Sequence, residues 1–456
     1  MPLLEHLIAR GEVRDPSPLE RPLRRLDAVN ALRASESPLG KSLLIELTDP
    51  SGRSWARLTG RAGLRAFSQG RRDLLQASGA GRVTPYGSLA AEAVAGAFVG
   101  AVRLAADRNV KYDPDWTGSP RTMPRIEEAY AAVHWRWGSL QAGQMARNWG
   151  PAGIPGVSIS DAAYPRPDIS LALGRSGLRY SAVATKLRST TAPNGERTER
   201  YYVTHRLAAR AGRNLTLGAW EVGVIAGPGD QLDRATRAVV PLLVYPALFA
   251  SRAHRNEMVG ADLSWRVSPR LRFEAELAID DWNFDANNPY PQRWAGSLSG
   301  SGALGRTASW RASYTTASSL AFRTLNPEEN IVDRGIGIGR LFPDNEVIDL
   351  SVGFPVRAHW LVTPKLALLR QGEGRIQSPF PAASEASSVP ARFIGTVANS
   401  LWTGVSVAGY QGPIQVLGEG GLRYTTNADH MPGRNRTSFE GRITATYGVT
   451  LPKAHR

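Results

Sequence analysis

From Trp55 onward, apolar and polar residues alternate along much of the chain. The clearest segment is 271–280 (LRFEAELAID), in which every odd-numbered position is apolar. Four of its even-numbered positions are charged: Arg272, Glu274, Glu276 and Asp280. Successive side chains of a strand point to opposite faces, so this segment predicts a strand with one apolar and one charged face. Segments 129–137 and 259–267 repeat the pattern, which makes the chain all-β from this point.

The connections between these segments alternate between short and long. Short turns are predicted at 138–139, 175–177, 212–214, 268–270, 305–307 and 363–365, and long polar loops at 148–168, 188–199, 227–255, 282–293, 319–346 and 372–390. A soluble sandwich also has one apolar face per strand, but it has no reason to keep this rhythm. A transmembrane antiparallel β-barrel has short periplasmic turns and long external loops. We therefore predict such a barrel, with 16 to 18 strands and both termini on the periplasmic side.

The first 48 residues differ from the rest. Leucine and isoleucine recur there at helical spacing in 3–8, before Gly11, and again in 26–32 and 43–47. We predict a helical periplasmic segment over 1–48 that plugs or caps a barrel over 49–456. Segment 86–106 is compatible with a long strand, a hairpin or a helix.

Bulk properties narrow the class of protein further. No run of 18 apolar residues exists, so no membrane-spanning helix is predicted. No signal peptide is visible after Met1. The chain has no cysteine, which excludes disulfides and thiolate metal sites. Its net charge of +15 favours anionic partners such as nucleic acid, anionic lipid or acidic polysaccharide.

The sequence contains no recognisable catalytic motif. The seven histidines form no ligand pair, so we expect no metal and no cofactor. Asp280 and Asp281 are adjacent on a strand and point to opposite faces, so they cannot flank one glycosidic bond. We expect Asp280 to point inward and pair with lumen arginines, and Glu221 to have a similar role. Arg136 and Arg266 are further inward candidates, and Gly335-x-Gly337-x-Gly339 suggests a flexible strand edge.

The external loops carry residues that suit a glycan. Aromatic rings stack on sugar faces, arginine pairs with uronate carboxylates, and asparagine binds hydroxyls. This composition occurs in many barrel loops and is not specific. The polysaccharide-binding candidates are Arg147, Trp149, Arg166, Asp281, Trp282, Asn287, Tyr290 and Arg293.

Several motifs, in their order, resemble the Wzi family of capsule assembly proteins. They begin with Arg147-Asn148-Trp149-Gly150-Pro151 and its continuation through Ser158 and Ser160 to Asp168. Further similar stretches are 128–130, His205-Arg206, Asn256 with Gly260-x-Asp262, Asp280-Asp281, 335–343 (GIGIGRLFP), Gly372-Glu373-Gly374 and the N-terminal 4–32. The resemblance implies an outer-membrane barrel of about 18 strands with a periplasmic helical bundle. It also implies a non-catalytic, lectin-like role in attaching capsule or exopolysaccharide to the cell surface.

The expected partners are an anionic surface polysaccharide and outer-membrane lipid or lipopolysaccharide, with no nucleic acid, for a monomer in the outer membrane. The alternative is a porin or transporter that uses the charged lumen as a conduit. An outer-membrane enzyme acting on lipid or glycan, and a soluble nucleic-acid binder, are the remaining hypotheses.

Overall fold

An antiparallel barrel of 18 strands forms the body of the protein, preceded by three short helices. The computed structural model describes residues 2–48, 54–68, 83–107, 124–175, 177–191, 195–228, 254–281, 289–357 and 359–451. The helices are α1 (Pro2–Arg10), α2 (Arg25–Leu32), α3 (Pro38–Leu47) and, in a late loop, α4 (Ala383–Ala386). The strands are β1 (Ser54–Phe67), β2 (Val83–Ala95), β3 (Phe98–Asp107), β4 (Pro124–Trp135), β5 (Gly138–Gln144), β6 (Pro167–Gly174), β7 (Leu178–Lys186), β8 (Thr190–Thr191), β9 (Arg197–Ala211), β10 (Leu215–Pro228), β11 (His254–Ser268), β12 (Leu271–Asp281), β13 (Arg293–Leu304), β14 (Ala308–Ala317), β15 (Val332–Asp333), β16 (Ile336–Gly337), β17 (Asn345–Val356), β18 (Trp360–Gln371), β19 (Ala398–Gln411), β20 (Ile414–Thr426) and β21 (Arg436–Leu451).

The sheet closes on itself because its first and last strands pair. β1 is hydrogen-bonded to β21 from Leu58, opposite Leu451, to Phe67, opposite Arg442. Every other neighbour in the barrel is also antiparallel. β8 is a short extra strand on β9, and β15 and β16 form a separate hairpin. The predicted barrel of about 18 strands is confirmed, and segment 86–106 is the hairpin β2–β3.

The strands place apolar side chains outside and charged ones inside. In β12, Leu277 is 52% exposed on the outer face, whereas Glu274 and Glu276 are each 4% exposed on the inner face. Leu298 of β13 and Leu350 of β17 are likewise exposed. A closed barrel with an apolar outer face is the form in which a β-sheet can cross a lipid bilayer.

Short and long connections lie at opposite ends of the barrel, here the short-turn end and the long-loop end. The described strand pairs with short turns include β2–β3, β9–β10 and β19–β20, and β1 begins and β21 ends at the same end. The turn expected at 138–139 lies two residues earlier, at 136–137, which puts Arg136 in an exposed turn instead of the lumen.

The turn predicted at 363–365 is wrong. Pro364 lies inside β18, opposite Val405 of β19. Because proline has no backbone N–H, the ladder to β17 is interrupted between the pairs Ser351–Lys365 and Phe354–Val362, but the strand continues. The turn lies instead between the end of β17 at Val356 and the start of β18 at Trp360.

The N-terminal helices pack at the short-turn end. Leu4, Leu7 and Ile8 of α1 form a small apolar core with Ala28 and Leu32 of α2. His6 bonds through Nδ1 to Ser309 Oγ of β14 at 2.8 Å, and α1 also contacts β12 and β13. Among the described helices, none is long and apolar enough to cross a membrane.

Candidate functional site

The lumen is filled from both ends. The N-terminal segment that follows α1 rises from the short-turn end, and loop 145–166 folds inward from the long-loop end. They meet in a backbone pair: Arg21 N donates to Asn148 O at 2.8 Å, and Asn148 N donates to Arg21 O at 3.0 Å. The N-terminal segment and loop 145–166 therefore meet inside the barrel.

Carboxylate–arginine pairs fix the N-terminal segment to the barrel wall. Asp15 binds Arg21 at 3.0 Å and Arg272 of β12 at 2.8 Å. Burial alone would raise the pKa of Asp15, but the two guanidinium groups hold it well below its ordinary value. Glu20 binds Arg179 of β7 at 3.0 Å. Both carboxylates are therefore ionised at neutral pH and bind the segment tightly.

Other charged residues also face the lumen, as predicted for Arg266 and Asp280. Arg206 binds Asp262 through two bonds of 2.7 and 2.8 Å. Arg266 donates to Ala9 O at 3.1 Å. Asp280 accepts from the Phe322 backbone N–H at 2.8 Å and lies 4.0 Å from Arg293 Nη1. These charged side chains are thus bound to partners inside the barrel.

The Arg-x-Trp-Gly-Pro motif builds the inward loop. Arg147 makes a two-bond pair with Asp168, with Nη2–Oδ1 at 2.7 Å and Nε–Oδ2 at 3.1 Å. Trp149 is 4% exposed and belongs to the main core. Its backbone N–H donates to Ile159 O at 3.0 Å. The side chains of Arg147 and Trp149 therefore hold the loop in place, and the indole does not face solvent.

Arg166 joins this loop to the next one. Its Nε lies 2.7 Å from Asp333 Oδ2 in β15. Burial would raise the pKa of Asp333, but the Arg166 guanidinium holds it below its ordinary value. Ser160 Oγ donates to Gly339 O at 2.5 Å, which fixes a second point between the two loops.

The GIGIG stretch is a buried part of this junction and not a flexible strand edge. Ile336 and Ile338 are buried, and Ile338 belongs to the main core. A Cβ on Gly339 would come 1.8 Å from Val157 O, so only glycine fits.

The carboxylate of Asp344 binds two segments of the following long loop, one at Gly374 and one at Phe393 and Ile394. Its Oδ2 accepts from Gly374 N and from Ile394 N, each at 2.9 Å, and its Oδ1 accepts from Phe393 N. A Cβ on Gly374 would lie 2.7 Å from the Asp344 Cβ, so the carboxylate and the Gly-Glu-Gly turn pack too closely for a larger residue. Phe393 has a φ of +64°, a strained value for an aromatic residue, and these bonds hold it.

An aromatic–arginine cluster lies at the long-loop end, formed by Tyr290, Arg293 and Phe380. The Tyr290 and Phe380 rings are 5.0 Å apart, and the Arg293 guanidinium carbon lies 5.5 Å from the Phe380 ring centre. The Tyr290 hydroxyl donates to Pro381 O at 3.1 Å. The structure thus brings together two of the sequence candidates, and Phe380 was missed.

A second cluster surrounds Phe393, which lies in the same loop between β18 and β19 as Phe380. Guanidinium carbons of Arg370 and Arg392 lie 4.5 and 4.8 Å from the centre of its ring. Both arginines bind Glu346, Arg370 at 2.8 Å. The sequence predicted a long loop at 372–390, but neither its one aromatic residue, Phe380, nor Phe393 just beyond it was among the predicted site residues.

The remaining candidates can be placed only in part. Trp282 and Asn287 lie outside the described residues, and Asp281 ends β12. Glu221 is buried and lies 2.9 Å from His205 Nδ1. Among the residues that the structure describes, no three His, Asp or Glu side chains are grouped so that they could hold a metal ion.

Comparisons with known proteins agree with this architecture. The model of the family "Capsule assembly protein Wzi" matches residues 81–303. The solved structure of Escherichia coli Wzi, described as an outer membrane protein involved in group 1 capsule assembly and as a carbohydrate binding beta-barrel, aligns with a TM-score of 0.65 at 15% identity. The alignment covers 99% of this chain and 97% of that one, and it confirms the fold.

Two other barrels are less similar. Pseudomonas aeruginosa OprD aligns at 11% identity over 89% of this chain and 99% of its own, with a TM-score of 0.48. Pseudomonas aeruginosa OccK3 aligns at 13% identity over 88% of this chain and 96% of its own, with a TM-score of 0.49. No curated protein matches the chain.

Proposed function

We propose that this chain, which belongs to the Wzi capsule assembly family through residues 81–303, is an outer-membrane barrel that binds an acidic polysaccharide at its long-loop end. It holds the polymer on the cell surface as a lectin would, without catalysis. With the long-loop end outside the cell, residues 1–48 face the periplasm and the apolar outer face contacts lipid and lipopolysaccharide. One chain forms the functional unit.

The observation that carries the proposal is the filled lumen. A porin needs a continuous aqueous path, whereas here the N-terminal segment and loop 145–166 meet at the Arg21–Asn148 backbone pair. Inward-facing charges that would line a channel are used instead in pairs such as Arg206–Asp262 and Arg272–Glu274. The surface at the long-loop end, here called the long-loop surface, is then the part of the molecule available to bind a ligand.

The chemistry of that surface suits an acidic sugar. Tyr290 and Phe380 offer ring faces for the C–H face of a sugar. Arg293, Arg370 and Arg392 add positive charge beside them for a carboxylate, although Glu346 already binds Arg370 and Arg392. The net charge of +15 attracts a polyanion over a longer range.

The sequence candidates divide by role under this proposal. Tyr290 and Arg293 contact the polymer, together with Asp281, Trp282 and Asn287, which precede them in the sequence. Arg147, Trp149 and Arg166 act indirectly, by holding the loops that carry the surface.

Binding of a uronate-containing polysaccharide to the purified barrel in lipid nanodiscs tests the proposal. We expect Phe380→Ala to weaken binding on the order of threefold to tenfold, because one stacking ring contributes about 1 kcal/mol. Phe354→Ala is the matched control, since this phenylalanine is exposed on the outer face of β17, away from the long loops. Equal binding by wild type and Phe380→Ala, or equal loss in both variants, would contradict the proposed surface.

Polymer length before and after incubation tests for catalysis. We expect no shortening by the wild-type protein. Shortening that disappears in Glu221→Gln would replace the lectin role by a hydrolytic one.

A further inference from the structure

A cavity of about 330 Å³ lies at the short-turn end, between the N-terminal segment and the wall formed by β4 to β10. Seven arginines and three carboxylates line it. Six of those arginines are Arg14, Arg24, Arg136, Arg175, Arg179 and Arg210. We call it the arginine cavity. It lies at the end of the barrel opposite to the long-loop surface.

The three carboxylates of the cavity are already bound. Asp15 is held by Arg21 and Arg272, and Glu20 by Arg179. Asp27 lies 2.6 Å from Arg24 Nε. These carboxylates therefore do not neutralise the remaining arginines.

Four arginines of the cavity have no carboxylate partner among the described residues. Arg14 donates to the backbone oxygen of Arg213 at 2.9 Å, and Arg210 to that of Asp15 at 3.4 Å. Arg136 and Arg175 are exposed at the rim, where β4 and β6 end. Like charges converging on one space repel each other, so an anion in the cavity would relieve this repulsion.

The cavity also has an apolar wall. Trp135 of β4 and Leu173 of β6 line it, together with Pro16 and Pro18 of the N-terminal segment. The Trp135 indole Nε1 is buried with no hydrogen-bond partner among the described residues. A buried indole N–H normally has a partner, so an occupant that accepts a hydrogen bond would complete the site.

We propose that the arginine cavity binds a short segment of carboxylate-bearing oligosaccharide from the periplasmic side. Its volume is at the lower end of the range of about 300–1,000 Å³ for small-molecule sites, which limits the occupant to a few sugar rings. Inward-facing wall residues such as Arg206 and Thr216 line it, so water-borne molecules reach it more readily than a lipid headgroup with its acyl chains outside. The sugar class rests on the proposed function, but the site is a separate one.

Binding of digalacturonate to the full-length barrel in zwitterionic nanodiscs, followed by calorimetry at low salt, tests this site. We expect the double variant Arg136→Gln/Arg175→Gln to weaken binding on the order of tenfold, because it removes two charged donors while leaving the described contacts of the fold intact. The control Arg270→Gln/Arg306→Gln removes the same charge from two other exposed turns at the short-turn end and should bind as the wild type does. A neutral disaccharide should not bind.

The possible outcomes separate this site from the long-loop surface. Loss in Arg136→Gln/Arg175→Gln with retention in Phe380→Ala supports the cavity whatever becomes of the proposed function. Loss in Phe380→Ala alone overturns the cavity and leaves the proposed function standing. Equal weakening by both double variants means a diffuse charge effect and overturns the site. In a parallel preparation with anionic phospholipid, the lipid that co-purifies with each variant is measured. Less anionic lipid on Arg136→Gln/Arg175→Gln, with digalacturonate binding unchanged, overturns the sugar in favour of a phosphate headgroup.

Discussion

Asp344 is the residue on which the long-loop surface depends most. Its carboxylate satisfies three backbone N–H groups, of Gly374, Phe393 and Ile394, and it is fully buried. We expect Asp344→Ala to destabilise the fold of loop 372–397 by about 3 kcal/mol, because it leaves buried donors without a charged acceptor. Faster proteolysis within the loop and weaker polysaccharide binding should follow.

Asp429→Asn is the control for that substitution. Asp429 binds Arg436 at 3.1 Å in an exposed part of loop 427–435, where an ion pair contributes little. Loop 372–397 should keep the wild-type proteolysis rate in this variant. A wild-type rate in Asp344→Ala as well would show that the carboxylate does not hold the loop.

His6 should make the docking of α1 depend on pH. Burial, together with the nearby Arg10 guanidinium, lowers the pKa of His6 to about 4. An unfolded histidine has a pKa of about 6.5, so its stabilising effect is complete above that value and is lost as pH falls toward 4. We expect α1 to lose about 2 kcal/mol of protection between pH 7 and pH 5.

Hydrogen exchange of α1 amides, corrected for the intrinsic effect of pH, measures this loss. His6→Gln cannot titrate and should show a flat profile over the same interval. A wild-type profile as flat as that of His6→Gln would mean that His6 is not buried against β14 in its neutral form.

At the scale of elements, the N-terminal segment should detach when its ion pairs are broken. Glu20 is bound by Arg179 and lies 3.8 Å from Arg206. Glu20→Gln removes the counter-charge of the partly buried Arg179, whereas Arg206 keeps Asp262, so we expect a cost of about 2 kcal/mol. We expect faster proteolysis around residues 11–24 with the barrel itself intact.

Glu36→Gln is the matched control, since Glu36 is exposed in the same segment. It should be cleaved at the wild-type rate. Equal cleavage of wild type and both variants would show that another contact, such as the apolar core of α1 and α2, holds the segment.

The barrel strands could be predicted because each carries its own signal. In β12, the alternation of Leu277 with Glu276 directly encodes the outer and inner faces. Pro364 gave a false turn, since one missing N–H interrupts only one ladder of a strand that pairs on both sides. The roles of the loops could not be predicted in the same way. Trp149 has a suitable chemistry for sugar, and only the inward fold of its loop buries it.

At the scale of the whole molecule, the N-terminal segment and loop 145–166 both enter the lumen, so we predict a barrel that does not conduct ions. Contacts between sequence-distant segments, such as Arg21 with Asn148 and Asp15 with Arg272, create this closure. No local pattern reveals them, which is why the sequence left the lectin and porin hypotheses both open.

Planar-bilayer recording measures the closure. We expect no steady ion conductance from the wild-type protein, and intermittent conductance from Glu20→Gln when the N-terminal segment detaches. Steady, salt-proportional conductance from the wild type would favour the porin hypothesis.

The most direct test of the central claim is the distribution of acidic polysaccharide between cells and medium in the native host. The host without this protein is compared with the same host carrying either the wild type or Phe380→Ala, at equal total polymer. We predict that the polymer stays cell-associated with the wild type, is released into the medium without the protein, and is partly released with Phe380→Ala. An unchanged distribution in all three strains would contradict a role in holding polysaccharide on the cell surface.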